Sequence, residues 1–283
     1  MKTYYYSLKW LMMCFVIILM SCGSKGNNVN NKGEDTQTNN TIKPLNISIY
    51  LDLSDRLERK MVPSQKNRDI EIVNYMAEIL KNHAVEQKIL PSRDRIKVFF
   101  YPAPNDSKID LLSKDLEMDL SKAQPAEKKQ LLLNFQEKFS TSLSKIYDAT
   151  LQGKNWIGSD IWGFFKKQID TYCIREDARN IIVILTDGYL FYAPNKIKDG
   201  DNYNYILPQT LMNPNSGLIV SRQGLENIEV LMLEINPYDP KHQDKIESVL
   251  QNWLKDMGVQ KMFVGETDQP SNTKLIIDKF MTN

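Results

Sequence analysis

Apolar positions along the chain recur in two rhythms. Five short blocks are dense in β-branched and aromatic residues: Ile47–Leu51, Arg95–Tyr101, Asn180–Leu185, Ile228–Ile235 and Lys261–Val264. The third is apolar from Ile181 to Leu185, as a strand buried on both faces must be, and the second is stopped by Pro102 and Pro104. Between the blocks the spacing changes to three and four. Ile72, Val73, Met76, Ile79 and Leu80 follow Pro63-Ser64 and predict a helix from about Gln65 to Gln87. Leu131, Leu132, Phe135, Phe139, Leu143, Ile146 and Tyr147 predict one or two helices within the charged stretch Ile109–Leu151, covering the sheet. Gly158-Ser159-Asp160 precedes Ile161, Phe164, Phe165, Ile169 and Tyr172, so Ser159 or Asp160 caps another helix. Ile246, Val249, Leu250, Trp253 and Leu254 mark a further helix, and Leu275, Ile276 and Phe280 the last. Strands alternating with helices predict an α/β fold, a doubly wound and mostly parallel sheet with helices on both faces and Lys261–Val264 at an edge. The segment Tyr189–Leu225 is longer than an ordinary connection and leaves the end of the third block, so it overhangs whatever lies there.

The first residues follow a different logic. Lys2 and Lys9 precede an apolar run from Trp10 to Met20, shorter than the roughly 20 residues a bilayer-spanning helix needs. Leu19-Met20-Ser21-Cys22 then resembles a bacterial lipobox. The resemblance implies that residues 1–21 are a signal peptide and that Cys22 becomes the lipidated first residue. It also implies a membrane-anchored protein, in the outer membrane because Gly23 and Ser24 stand where an acidic residue would redirect it. Residues 22–43 are rich in Asn, Gly, Lys and Thr and cannot bury enough apolar surface to order themselves, so they predict a flexible tether to a domain over 44–283. Cys14 lies in the signal and Cys22 carries lipid, which leaves Cys173 without a disulfide partner. Its neighbours Ile169, Tyr172 and Ile174 predict a buried, inert thiol.

With 42% apolar residues among 283, the chain can bury a full core; its 36 basic and 35 acidic side chains give no dominant field, so nucleic-acid binding through a basic face is not expected. His83 near the end of the first helix and His242 near the start of a late one are expected away from the carboxyl ends of the strands. No Gly-x-x-x-x-Gly-Lys, Gly-x-Gly-x-x-Gly or Gly-x-Ser-x-Gly motif is present.

Candidate chemistry gathers at strand ends, where open α/β sheets keep their sites. The first strand ends in Asp52-Leu53-Ser54-Asp55-Arg56 and the third block in Thr186-Asp187-Gly188. Hard oxygens converging there suit Mg²⁺ or another divalent cation. In order and spacing, Asp52-x-Ser54, Ser159 and Asp187 resemble the von Willebrand factor A (vWA) domain over roughly Pro44–Asn283. The resemblance implies a metal-ion-dependent adhesion site with Asp52, Ser54, Ser159 and Asp187 as metal ligands, flanked by Asp55, Arg56 and Asp160 as partner-binding residues. One position departs from the pattern: Arg56 stands where the family has a second serine. Either the guanidinium lies within about 4 Å of Asp52 or Asp187 and supplies the charge of the metal, or it swings outwards and leaves an octahedral shell of side chains and water. The implied function is a lipid-anchored cell-envelope binding module with a degenerate adhesion site and a protein partner. The alternatives are a Mg²⁺-dependent phosphohydrolase with Asp52 as nucleophile and Asp55 as second carboxylate, and a structural lipoprotein in which Ser54 and Ser159 merely cap turns and Asp187 closes an Asx turn.

Overall fold

The computed structural model describes residues 42–154, 158–190, 197–199, 202–204, 223–267 and 269–282. Six strands form the main sheet: β1 (Leu45–Leu51), β2 (Arg95–Phe99), β3 (Glu117–Asp119), β4 (Arg179–Leu185), β7 (Ile228–Leu233) and β8 (Lys261–Val264). Two further three-residue strands, β5 (Ile197–Asp199) and β6 (Asn202–Asn204), pair antiparallel with each other. The order across the main sheet is β3-β2-β1-β4-β7-β8. All its pairings are parallel except β2 with β3. The fold is thus the doubly wound α/β sheet that the alternation predicts. The chain runs outwards from β1 through β2 and then returns to β4 on the other flank, which makes the gap between the carboxyl ends of β1 and β4 a topological switch point.

Strand alternation explains how both faces are filled. Ile47, Ile49, Leu51, Ile181, Val183 and Leu185 point into one core, with α1 (Gln65–Glu86), α2 (Ser107–Ser113), α3 (Pro125–Gly153) and α6 (Pro270–Thr282) contributing Ile72, Met76, Leu80, Ile109, Leu143 and Ile277. Tyr50, Ile182, Ile184, Val230 and Met232 point the other way, onto Phe164 and Phe165 of α4 (Ile161–Lys167) and Leu250, Trp253 and Leu254 of α5 (Gln243–Asp256). Truncating one of the fully buried aliphatic residues, such as Val183, costs the transfer of its methyls plus a cavity, on the order of 2–4 kcal/mol.

Helix ends follow local chemistry. Ser64 caps α1 by accepting from the Asn67 N–H (3.4 Å), and Asp106 caps α2 by accepting from the Lys108 N–H (2.8 Å). After Lys167 the chain widens into a π-helical turn, Ile169–Cys173, that ends with Cys173 buried on the sheet. Among the described residues no helix is long and apolar enough to cross a membrane. Cys22, the tether up to residue 41 and most of the 189–225 segment lie outside the described residues.

Candidate functional site

Asp52 leaves β1 still in register with β4: its N–H donates to the Leu185 carbonyl at 3.0 Å. The carboxylate is 1% exposed. Oδ1 accepts from the Ser54 N–H (3.0 Å) and Oδ2 from the Thr186 hydroxyl (2.7 Å), so the ends of β1 and β4 are tied through one side chain. Ser54 then starts a single 3₁₀ turn, Asp55–Glu58, which folds Arg56 back beneath the rim.

Arg56 points inwards and is 5% exposed. Its Nε donates to the Asp52 carbonyl oxygen (2.8 Å) and lies 3.9 Å from Asp52 Oδ2, while Nη2 donates to Asp69 Oδ2 at 2.5 Å. Asp69, on α1, is fully buried and also accepts from the Tyr147 hydroxyl (2.7 Å) and Gln65 Nε2 (2.9 Å). Burial alone would lower the pKa of the guanidinium, but the charges of Asp69 and Asp52 outweigh it and hold the group above its ordinary value. Burial raises Asp69, partly offset by Arg56, Tyr147 and Gln65, which favour its ionised form. Of the two arrangements open to Arg56 the inward one is found, with the refinement that its second carboxylate is Asp69 and not Asp187.

Asp187 follows Thr186 at the end of β4, and its Oδ1 accepts from the Tyr189 N–H at 3.1 Å. The turn needs Gly188: its φ is +90°, and a Cβ there would sit 2.6 Å from Ile246 Cγ2. Asp187 stays partly exposed at the lip of a cavity of about 280 Å³ lined also by Ser54, Asp55, Arg56, Tyr189 and Tyr238. Burial, then the nearby charge of Asp52, pushes its carboxyl up to about 7, with Arg56 pulling the other way. Asp55 is raised for the same two reasons.

The remaining predicted residues, Ser159 and Asp160, directly precede α4. Ser159 Oγ is 2.6 Å from the Tyr50 hydroxyl, which itself donates to the Tyr101 carbonyl (2.8 Å), so Ser159 is the donor of the pair. Ser159 lines a second cavity, with Leu51, Leu53, Tyr101 and Ile109. Asp160 caps α4 by accepting from the Gly163 N–H (2.8 Å). The structure thus gathers Asp52, Ser54, Asp55, Arg56 and Asp187, while Ser159 bonds Tyr50, two residues before Asp52, with Asp160 next to it capping α4. His242 departs from expectation: its Nδ1 lies 3.1 Å from the Tyr189 hydroxyl, directly behind the cavity wall. His83 is as expected in the last turn of α1, paired with Asp94 at 2.9 Å.

Several contributors carry no motif. Asp69 holds Arg56 and is itself held by Gln65 and Tyr147, and next to them Arg68 Nε donates to Glu234 Oε2 (2.6 Å) at the end of β7. The signal for Gln65 and Asp69 was their spacing, since 65, 69, 72, 76 and 80 form one stripe that turns polar at the start of α1.

As arranged, these side chains do not suit a divalent cation. The Arg56 guanidinium, 3.9 Å from Asp52 Oδ2, already brings a fixed positive charge to the carboxylate that a divalent cation would use. No group of three or more His, Cys, Asp or Glu able to hold a metal occurs among the described residues.

The chain matches no family model, and no curated protein matches it. Among solved structures it is similar to the pilus adhesin SpaC from Lactobacillus rhamnosus GG, with a TM-score of 0.41 and 13% identity over 85% of this chain. The chain spans 30% of that adhesin's length. A likeness of this size says nothing about what either site binds.

Proposed function

We propose that the chain is a cell-envelope binding module of vWA-like build, anchored through a lipid on Cys22, whose sheet-end site is centred on Arg56 in place of a metal ion and receives a protein partner. The observation that carries this reading is the buried Arg56 guanidinium, held against Asp52 and Asp69 beside an open cavity at the switch point. It stands at the sequence position where the family supplies a metal-binding serine, and it fixes there the charge a metal would bring. Tyr238, 86% exposed on the cavity wall, adds the kind of aromatic contact that protein interfaces favour.

A phosphohydrolase reading is disfavoured by Asp52 itself, because a carboxylate nucleophile needs a free, accessible oxygen and both of its oxygens are buried and engaged. An inert lipoprotein would leave the cavity without a use. A photo-crosslinking amino acid at Tyr238, compared in whole envelopes with one at exposed Leu90 before the amino end of β2, tests the proposal. It predicts a discrete protein adduct at Tyr238 that is weakened by Asp187→Ala and missing at Leu90. Identical patterns at both positions, or none at Tyr238, would overturn it.

A further inference from the structure

Val62 and Tyr238, 92% and 86% exposed, are the two most exposed large apolar side chains among the described residues. They stand on the loops that leave β1 and β7, and each loop also lines the cavity, through Arg59 and through Tyr238 itself. Strand β4 separates β1 from β7, yet the Arg59 guanidinium joins the two loops, its Nη1 donating to the carbonyls of Asn236 (2.5 Å) and Pro237 (3.3 Å). Val62 follows Arg59 by three residues and Tyr238 is next to Pro237, so one guanidinium ties both loops. A lone exposed apolar residue needs no explanation, whereas two on loops tied together beside a cavity form a surface. Side chains held in place beforehand lose less freedom when a partner covers them, and covering apolar area is favourable.

Charge decides which partner fits. Arg56 is buried, and its charge is met inside the protein by Asp69 at 2.5 Å and Asp52 at 3.9 Å, so it is not offered to a ligand. Arg59 is engaged by the two backbone carbonyls. The charged groups a ligand can reach are Asp55 and Glu58, both exposed, and Asp187, partly exposed. Glu58 faces the Lys154 ammonium at 3.3 Å, while Asp55 has no cationic partner among the described residues. With Asp52 and Asp69 behind the lining, carboxyl groups outnumber Arg56, Arg59 and Lys154, so an acidic ligand is repelled and a basic one drawn in.

We infer that this rim docks a protein segment in which a basic side chain stands next to an apolar one. The basic group enters the cavity of about 280 Å³ to meet Asp55 and Asp187, where the rings of Tyr189 and Tyr238 also suit a cation. Its apolar neighbour covers Tyr238 and Val62. A membrane surface is the other occupant that exposed apolar loops admit, but anionic headgroups would meet the same carboxylates that repel an acidic ligand. The inference rests on the reading of the chain as a protein-binding module and names the chemistry that module recognises.

Three acetylated and amidated tripeptides test it: Leu-Lys-Leu, Leu-Glu-Leu and Gly-Lys-Gly, titrated into the ¹⁵N-labelled chain at neutral pH. The amide resonances of Val62, Gly188, Tyr189 and Tyr238 are followed. Leu-Lys-Leu is expected to shift them saturably, to bind on the order of tenfold more tightly than either of the others, and to weaken as salt is raised. Asp55→Asn and Tyr238→Ser alter exposed residues and should keep the fold, which the rest of the spectrum checks. The first should remove the advantage over Leu-Glu-Leu, and the second the advantage over Gly-Lys-Gly. Binding of Leu-Glu-Leu as tight as that of Leu-Lys-Leu overturns the inference, and so does the absence of site shifts with every peptide. Shifts of Val62 and Tyr238 on adding phosphatidylcholine vesicles, with none from Leu-Lys-Leu, overturn it in favour of a membrane surface. Each failure leaves the binding-module reading to stand or fall separately on the Tyr238 adduct.

Discussion

The Arg56 guanidinium binds Asp69 of α1 at 2.5 Å, so the residue that interrupts the adhesion-site pattern at the end of β1 is anchored by a helix 13 residues further on. A buried pair of this kind is weak evidence of net stability, but breaking it is costly because one charge is left without its partner. Arg56→Met alone should therefore destabilise the protein by about 3–5 kcal/mol in urea unfolding. Arg56→Met with Asp69→Leu should regain most of that loss, since neither charge is then stranded. Equal and additive losses from the two single changes would contradict the coupling described for the pair.

Asp187 makes stability depend on pH in a definite direction. Its folded-state carboxyl is pushed up to about 7, above the roughly 3.9 of an unfolded aspartate, so the folded protein holds the proton more tightly. That contribution is fully present below the unfolded value and is lost as pH rises through 7. Comparing unfolding free energies of the native chain and Asp187→Asn from pH 4 to 8 should show the native chain losing stability relative to the variant across that window. A constant difference would mean that Asp187 titrates as an ordinary carboxylate.

Cys173 is buried at the end of the π-helical turn, and burial pushes its thiol up to about 11, so little thiolate forms near neutral pH. A maleimide or disulfide reagent should label it only in denaturant. Labelling of the native protein at the rate of a free thiol would show that the turn opens far more readily than its packing implies.

The anchor rests on Leu19-Met20-Ser21-Cys22. Mass spectrometry of the membrane fraction should find a mature chain beginning at a lipidated Cys22, and Cys22→Ala should leave the chain unprocessed or released. A substituted chain that is still cut before residue 22 and still membrane-bound would contradict lipidation.

How much of this could be read in the sequence depended on whether a pattern was local. The apolar run Ile181–Leu185 can only be a strand covered on both faces, and it became the register partner of β1, Leu51 against Leu185, which sets Asp52 beside Thr186. Strand β3 was not legible: Glu117–Asp119 is three residues long, polar on alternate positions, and pairs antiparallel at the sheet edge, so it carries neither length nor periodicity to mark it. The adhesion-site resemblance named Asp52, Ser54, Ser159 and Asp187, but not that the Ser159 hydroxyl would bond Tyr50 of β1. Asp69 was missed because a polar residue on an apolar helical stripe reads as an exposed first turn until a partner such as Arg56 is known to descend onto it. His242 reached Tyr189 through a loop whose path no sequence rhythm encodes.

The account stands most directly on whether Arg56 leaves any need for a metal. Thermal unfolding of the native chain in chelator and in millimolar Mg²⁺ decides this, since an ion that binds only the folded state must raise the midpoint by mass action. The account predicts no shift. A clear rise with Mg²⁺ that disappears in Asp187→Ala would contradict it and return the site to metal-dependent adhesion.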